Sequence, residues 1–446
     1  MAAVCLRFAW FRNFNSGISA LRGTRTSTSA TGMDSMGSAA SRSPLERLQF
    51  DNVALRRLAL DPSQEPGSRT VRGACFSRVQ PQPLLRPRFV AVSGPALSLL
   101  GLDAEEVLRD PLGPEYLSGS RVMPGSEPAA HCYCGHQFGH FAGQLGDGAA
   151  CYLGEVRAPP GQSEELLREN PSGRWEIQVK GAGLTPYSSS VCRFGSFEIF
   201  KPQDELTGRQ GPSVGRDDIR AQLLDYVIDT FYPDVQQSRG ADRVERNAAF
   251  FREVTVRTAR LVSQWQCVGF CHGVLNTDNM SVLGLTLDYG PFGFMDRFDP
   301  DFVCNASDTG GRYSYSAQPS VCRWNLERLA EAMGPELPAH RAEAIVAEFV
   351  PQYNAFYLDN MRRKLGLLRR ETPEDEELVT LLLQTMHNTG ADFTNTFRSL
   401  SQVPSPGVPD SEGAGDPVSR SVELLLAQCA SLEELRAAHR PTMDPR

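Results

Sequence analysis

The chain has 446 residues, of which 41% are apolar and 22% are charged, and its formal net charge is −8. This composition excludes a wholly disordered chain, and the length allows two or three domains or one large two-lobed unit. We expect no membrane span, because no window of about 18 residues is continuously apolar. The absence of a basic block argues against nucleic acid as a partner.

Residues 1–33 have the composition of a mitochondrial transit peptide. They contain four arginines, many Ser and Thr residues, and no acidic residue before Asp34. Positively charged amphipathic segments of this kind direct import, so we expect the protein in the mitochondrion, the alternative being a basic tail. Residues 34–69 are predicted to form a polar lead and a short helix.

Residues 70–200 are predicted to form a small nucleotide-binding lobe. Short strands and turns are expected over residues 70–125, followed by a Gly-rich loop and by strands at 149–156 and 175–180. Gly146 and Gly148, at the end of the Gly-rich loop, would let the backbone approach phosphate oxygens. Lys180, at the end of the last strand, is a candidate phosphate ligand. Taken alone, the glycines also fit a hairpin and the lysine a solvated surface.

Residues 201–402 are predicted to form a mainly helical large lobe. The first helix is expected to be capped by Asp217 or Asp218, and the second is expected over residues 243–265 with a buried stripe of apolar side chains. Later helices are predicted at 323–334, 340–366, 374–387 and 419–437. Within the last segment, 403–446, residues 403–418 are predicted to be a mobile loop, since Pro, Ser, Gly and Asp dominate.

The segment after the second helix has the spacing of a protein-kinase catalytic loop. His272 precedes Asn279 by seven residues, and Asp288-Tyr-Gly follows nine residues later. In kinases the corresponding Asn and the Asp of Asp-Phe-Gly hold magnesium on the nucleotide phosphates. Val274, however, occupies the position of the kinase base. The pattern therefore predicts nucleotide and metal binding without kinase chemistry.

Longer strings resemble the selenoprotein O family. The matching segments are residues 179–188 (VKGAGLTPYS), 193–198 (RFGSFE), 272–281 (HGVLNTDNMS) and 287–296 (LDYGPFGFMD). The resemblance implies an α/β, protein-kinase-like bilobal fold with a mainly helical large lobe. It also implies a mitochondrial enzyme that binds ATP in a flipped orientation and transfers AMP to Ser, Thr or Tyr hydroxyls of proteins.

The resemblance also assigns roles to individual residues. Asp278 would be the catalytic base, whereas Asn279 and Asp288 would hold Mg or Mn, with Asp288 also near the nucleotide. The phosphates would be bound by Lys180 and Arg193 and by the cradle of Gly146 and Gly148.

The chain departs from the family pattern in three places. Between Ser188 and Arg193 it has four residues where family members carry the rest of the small lobe, so the small lobe is expected to be incomplete. It also ends at Arg446, before the family's C-terminal Cys-x-x-selenocysteine or Cys-x-x-Cys motif, to which Cys304 is by resemblance able to bridge. Ala149 replaces an Arg that many bacterial members carry. We therefore expect an internally deleted and C-terminally truncated form.

Three other functions remain open at this stage. The chain could be a catalytically dead nucleotide-binding or regulatory module, because of the internal deletion. An ordinary kinase is disfavoured by Val274. A metal-dependent redox protein could use the His and Cys residues between His131 and His140, although their spacing is not that of usual zinc sites.

Overall fold

A computed structural model of the protein describes residues 3–6, 42–63, 65, 69–145, 150–161, 163, 170, 172–181, 193–239, 242–368 and 371–400. The chain divides into two compact units. The first comprises Met1–Arg69, Cys75–His131 and Gly146–Ser190, and the second comprises Thr70–Ala74, Cys132–Leu145 and Val191–Arg446. Both helices and strands are present, which confirms a mixed α/β fold, whereas the predicted domain limits stay predictions.

The strands of the described residues are short, apart from two. In chain order they are β1 (Ala3–Leu6), β2 (Leu60–Asp61), β3 (Phe76–Arg78), β4 (Ala129–His131), β5 (Cys134–Gln137), β6 (His140–Gln144), β7 (Ala150–Arg157), β8 (Arg174–Lys180), β9 (Phe270–Cys271) and β10 (Gly293–Phe294).

The helices are concentrated in the second half of the chain. In chain order they are α1 (Val53–Arg57), α2 (Gly94–Leu99), α3 (Ala104–Arg109), α4 (Gly113–Leu117), α5 (Phe194–Phe197), α6 (Asp217–Phe231), α7 (Pro233–Arg239), α8 (Arg243–Cys267), α9 (Gln318–Met333), α10 (Ala339–Ala347), α11 (Phe349–Leu365), α12 (Glu374–Thr389) and α13 (Phe393–Leu400).

The first unit is built on a six-stranded sheet with the strand order β1-β8-β7-β4-β3-β2. All neighbours in it are antiparallel except β2 and β3. Alternating residues predicted a strand over 175–180, and a strand-like run predicted another over 149–156; β8 and β7 confirm both. Side chains from β7, β8 and the short helices pack into one hydrophobic core.

The expectation of only strands and turns over residues 70–125 was wrong, because α2, α3 and α4 lie there. Two of these helices begin after residues of the types that commonly cap helix N-termini, Ser93 and Asp103. The Ser93 side chain accepts a hydrogen bond from the Ala96 N–H at the start of α2, and that of Asp103 accepts one from the Glu106 N–H at the start of α3. Such caps stabilise helices that are too short to form alone.

The second unit is mainly helical, with α8 at its centre. The 25 residues of α8 begin after Asp242, whose side chain accepts hydrogen bonds from the Val244 and Glu245 N–H groups. The predicted stripe of this helix is buried and confirmed; it consists of Ala248, Phe251, Val254, Ala259 and Val262. Two residues separate the end of this helix from β9, so it delivers the chain to the segment that begins at His272.

Three predicted helix boundaries need correction. Helix α6 begins at Asp217 after Arg216, so neither Asp217 nor Asp218 is the N-cap. The helix predicted at 323–334 begins earlier, at Gln318. The helix predicted at 340–366 is interrupted at Glu348, since Pro351 has no N–H with which to bond the carbonyl four residues earlier.

The helix predicted at 374–387 is confirmed as α12. The predicted loop at 403–418 and the helix at 419–437 lie outside the described residues. Among the helices that the structure describes, none has the length and apolar character needed to cross a bilayer.

Candidate active site

The loop at residues 272–279 is anchored by the buried ring of His272. Its Nε2–H donates to the carbonyl oxygen of Leu287 at 2.8 Å, and its Nδ1 accepts from the N–H of Val274 at 3.3 Å. Burial lowers the pKa of His272, so the ring is neutral and the two bonds fix its Nε2–H tautomer. Because Leu287 precedes Asp288, this ring links the 272–279 loop to the segment that carries Asp288.

Asp278 lies in the middle of a 3₁₀ turn at Thr277–Asn279 and is only 6% exposed. Two glycines make this burial possible. A Cβ atom on Gly135 would lie 2.5 Å from Oδ1 of Asp278, and one on Gly195 would lie 3.2 Å from its Cα atom. The Gly195 Cβ would also lie 2.2 Å from the carbonyl oxygen of Cys134. Both positions therefore require glycine because of close approach.

Arg193 is buried against the backbone of the same turn. Its Nη1 donates to the carbonyl oxygen of Asp278 at 2.6 Å and to Oδ1 of Asn279 at 3.4 Å. Its guanidinium carbon lies 5.4 Å from the ring centroid of Tyr133. The Arg193 N–H donates to Oγ of Ser196, which fixes the start of α5. The structure thus brings Arg193, Asp278 and Asn279 together, and the roles assigned to them remain predictions.

Asn279 has a defined orientation. Its Nδ2 donates to the carbonyl oxygen of Val274 at 3.0 Å, so Oδ1 points away from that carbonyl. Val274, which stands where a kinase has its base, therefore contributes through its main chain rather than its side chain.

Asp288 adopts a left-handed backbone conformation, with φ of 57°. The N–H of Gly290 donates to the carbonyl oxygen of Asp288 at 2.8 Å, which closes a tight turn. Asp and Asn tolerate this conformation better than most residues. Such a strained position in a half-buried carboxylate is typical of functional turns.

The donor chemistry of Asn279 and Asp288 fits a hard divalent cation. Amide and carboxylate oxygens are the ligands that Mg²⁺ and Mn²⁺ prefer. The Oδ1 atom of Asn279 lies 3.4 Å from Nη1 of Arg193, and such a long contact leaves this oxygen able to bind a cation. The metal assignment itself remains a prediction.

The other predicted phosphate ligands belong to the first unit. Lys180 is the last residue of β8 and pairs with Ala150 across the sheet. Gly146 and Gly148 lie outside the described residues. Arg193 and the 272–279 loop belong to the second unit. The phosphate-binding roles of Lys180 and of the two glycines remain predictions.

Of the His and Cys residues between His131 and His140, all are buried except His140, which is exposed. Burial raises the pKa of the Cys134 thiol well above its usual value, which favours the neutral thiol. His136 Nδ1 lies 2.6 Å from Oε1 of Glu198. No group of three His, Cys, Asp or Glu side chains suited to a metal ion occurs in the part of the chain that the structure describes.

Cys304 is close in space to Cys271, and Cys271 directly precedes His272 in the sequence. Its Sγ atom is 3.4 Å from the carbonyl oxygen of Cys271. A hydrogen bond from the Cys271 thiol lowers the pKa of Cys304, and the same bond together with burial raises that of Cys271. Cys304 is half-buried, whereas seven other cysteines are buried: Cys75, Cys132, Cys134, Cys151, Cys267, Cys271 and Cys322.

The comparison with known families decides the relationship. The family model for Protein adenylyltransferase SelO matches residues 63–191 and 188–419, which is most of the chain. The chain belongs to the SelO family. This confirms the family that the motifs predicted.

Similar proteins from animals and bacteria support the same family assignment. The chain is 64% identical to "Protein adenylyltransferase SelO-1, mitochondrial" of Danio rerio, over 93% of this chain and 69% of that protein. It is 52% identical to "Protein adenylyltransferase SelO, mitochondrial" of Homo sapiens, over 90% of this chain and 68% of that protein. Identity to "Protein nucleotidyltransferase YdiU" of Bordetella avium is 41%, over 74% and 73%. These names confirm the predicted enzyme class, a nucleotidyltransferase, and the mitochondrial location.

Two features of the alignments agree with the predicted internal deletion. The two segments matched by the family model meet at residues 188–191. The alignment with the Danio rerio protein has 479 positions, although 93% of this chain is only about 415 residues, so about 64 positions hold no residue of this chain.

Sequence reasoning missed three residues around Asp278. Gly195 lies between Phe194 and Ser196, all of them buried, and a glycine among buried residues indicates a close approach of two chain segments. His136 and Glu198 form a buried pair whose partners are far apart in the sequence, and no local pattern reveals such a pair.

Proposed function

We propose that this chain transfers AMP from ATP to hydroxyl side chains of mitochondrial proteins, on a protein-kinase-like fold. Its membership of the SelO family supports the reaction class. The observation that carries the assignment of the site is the hydrogen bonding of Arg193 to Asp278 and Asn279 of the 272–279 loop. A long helix, α8, leads into this loop and Asp288 follows it, which is the kinase order of elements.

Asp278 is the proposed general base. The acceptor oxygen attacks the α-phosphorus, the bond from that phosphorus to the β-phosphate oxygen breaks, and pyrophosphate leaves. The hydroxyl proton passes to the carboxylate of Asp278. Arg193 holds the main-chain carbonyl of the turn that carries Asp278, and a base on a turn that is fixed in this way is suited to proton transfer.

Asn279 and Asp288 would hold Mg or Mn through their side-chain oxygens. Such a cation, when bound, offsets the negative charge that develops on the leaving pyrophosphate. Lys180 and Arg193 are the proposed cationic contacts of the phosphates. Gly146 and Gly148 are the proposed main-chain contacts of the phosphates.

Phosphoryl transfer is less well supported by the same loop. A kinase base two residues after the His would be Val274, which has no carboxylate. Orientation of the α-phosphate towards Asp278 requires no group at that position. The loop is thus better suited to a nucleotide that presents its α-phosphate to the acceptor.

The test uses the full chain with ATP labelled at either the α- or the γ-phosphate, Mg²⁺ or Mn²⁺, and a mitochondrial extract. We expect label on protein from α-labelled ATP only, and its loss in Asp278→Ala. Asp234→Ala, an exposed position on α7, is the matched control. Label from γ-labelled ATP would instead indicate a kinase. No label from either, beside a labelled relative, would indicate a non-catalytic module.

A further inference from the structure

The residue before Asp278 is joined to two other segments by a buried polar triangle. Its corners are His136 on β5, Glu198 after α5, and Thr277 in the 272–279 loop. We propose that the hydroxyl of Thr277 and the carboxylate of Glu198 are positioning groups that set the place of Asp278 for AMP transfer. This inference rests on the proposed role of Asp278.

Every side of the triangle is a short hydrogen bond. The Thr277 hydroxyl donates to Oε2 of Glu198 at 2.6 Å and accepts from the N–H of His136 at 2.8 Å. His136 Nδ1 lies 2.6 Å from Oε1 of Glu198. The single hydroxyl of Thr277 therefore serves as donor to one segment and acceptor from another.

The triangle is shielded from water. Thr277 and Glu198 are 0% exposed and His136 is 2% exposed. The Trp324 and His136 rings pack edge to face, with centroids 5.3 Å apart. A polar group that loses its partner at such a depth is costly, so each of these bonds constrains the geometry of the others.

The same segments also meet at Asp278 itself. Gly135, one residue before His136, is the position whose added Cβ would contact Oδ1 of Asp278. The bond from the His136 N–H to Thr277 thus fixes β5 against the turn at the point where β5 passes the carboxylate. A shift of about 1 Å in a reacting group can lower a rate by roughly 100-fold. The triangle is therefore placed to control the rate rather than the affinity for ATP.

The deciding pair of variants is Thr277→Val, which keeps the shape and removes the hydroxyl, and Thr277→Ser, which keeps the hydroxyl. We expect Thr277→Val to lower kcat roughly 10- to 100-fold with KM for ATP changed less than about twofold. We expect Thr277→Ser to restore most of kcat. Thr258→Val is the control, because this change removes a hydrogen bond from an equally buried hydroxyl group within α8.

A second pair tests the carboxylate. Gln at position 198 can still accept from Thr277, and its amide can donate to the other tautomer of His136. We therefore expect Glu198→Gln to stay closer to the native kcat than Glu198→Ala.

Hydrogen exchange provides a readout that does not depend on turnover. In Thr277→Val the His136 N–H loses its acceptor, so peptides covering residues 134–138 and 272–281 should exchange faster than in Thr277→Ser or Thr258→Val. Equal exchange and equal kcat in the Val and Ser variants would overturn the inference. Native rates in Asp278→Asn would instead remove the proposed base, whereas the exchange difference would still decide the role of Thr277.

Discussion

Nη1 of Arg193 donates a 2.6 Å hydrogen bond to the main-chain carbonyl oxygen of Asp278. Resemblance assigned this arginine to the phosphates, and its position in the structure gives it a structural task as well. It holds the turn that presents the proposed base, and it also contacts the proposed metal ligand Asn279. One side chain therefore connects the phosphate-binding and proton-accepting parts of the proposed reaction.

Replacing Arg193 by Lys tests this double role. Lysine keeps the charge but lacks the rigid guanidinium group, whose Nη1 atom contacts both the carbonyl of Asp278 and the side chain of Asn279. A lost hydrogen bond to a charged group costs about 1.5–3 kcal/mol, so we expect the rate of AMP transfer to fall at least about tenfold. Kinetics of Arg193→Lys measure this. Arg209→Lys is the control, because the exposed Arg209 also donates to a main-chain carbonyl, that of Ala142. An equal fall in the rate of AMP transfer in Arg209→Lys would contradict the account.

The glycines around Asp278 predict a second effect. Gly195→Ala places a methyl group 2.2 Å from the carbonyl oxygen of Cys134 and 3.2 Å from the Cα atom of Asp278. Overpacking of a buried site costs about 1–3 kcal/mol. Urea unfolding should therefore show a lower free energy of unfolding for Gly195→Ala and for Gly135→Ala. A Cβ on Gly310 meets no atom within 4 Å, so Gly310→Ala should unfold like the native chain.

The buried His272 predicts a stability change with pH. Because burial lowers its folded-state pKa below the unfolded value of about 6.5, the unfolded chain binds the proton more tightly. Above pH ~6.5, protonation of His272 therefore does not lower the free energy of unfolding. As the pH falls from there towards the folded pKa, His272 lowers the free energy of unfolding. One proton changes the free energy of unfolding by at most about 1.4 kcal/mol per pH unit.

Unfolding measured from pH 7.5 to 5.5 checks this contribution. His272→Gln can still donate to Leu287 but cannot titrate, so its stability should fall less steeply than that of the native chain over this range. His340→Gln removes an exposed imidazole and is the matched control. A slope for His272→Gln as steep as the native slope would show that His272 does not titrate with unfolding.

Cys304 predicts a selective chemical reaction. Its pKa is lowered by the hydrogen bond from Cys271, and the thiolate is the form that reacts with iodoacetamide. Peptide mass spectrometry of the folded chain should find Cys304 labelled before the buried cysteines of the described segments. Cys271→Ala should move the midpoint of labelling to higher pH, whereas Cys322→Ala, at another buried cysteine, should not. Unchanged labelling in Cys271→Ala would contradict the pairing.

The sequence predicted those features that local patterns encode. The apolar period of α8 and the alternation of β8 gave both elements and the buried stripe, because these periods follow directly from helix and strand geometry. The order of His272, Asp278, Asn279 and Asp288 identified the loop. The break at Glu348 was missed because the apolar pattern continues across it, although Pro351 was visible.

Contacts between distant segments could not be predicted. Nothing near Thr277 in the sequence indicates that its hydroxyl meets Glu198 and His136, about 80 and 140 residues earlier. The approach of Gly195 to Asp278 is likewise a property of packing. These features depend on the fold as a whole, and they surround the residue proposed to do the chemistry.

The co-product of the reaction tests the central proposal most directly. Phosphorus NMR of the full chain with ATP, Mg²⁺ or Mn²⁺ and acceptor protein distinguishes pyrophosphate from ADP. The account predicts one pyrophosphate for each AMP attached to protein, and none in Asp278→Ala. Accumulation of ADP with phosphorylated protein, or attachment of AMP at the native rate in Asp278→Ala, would contradict it.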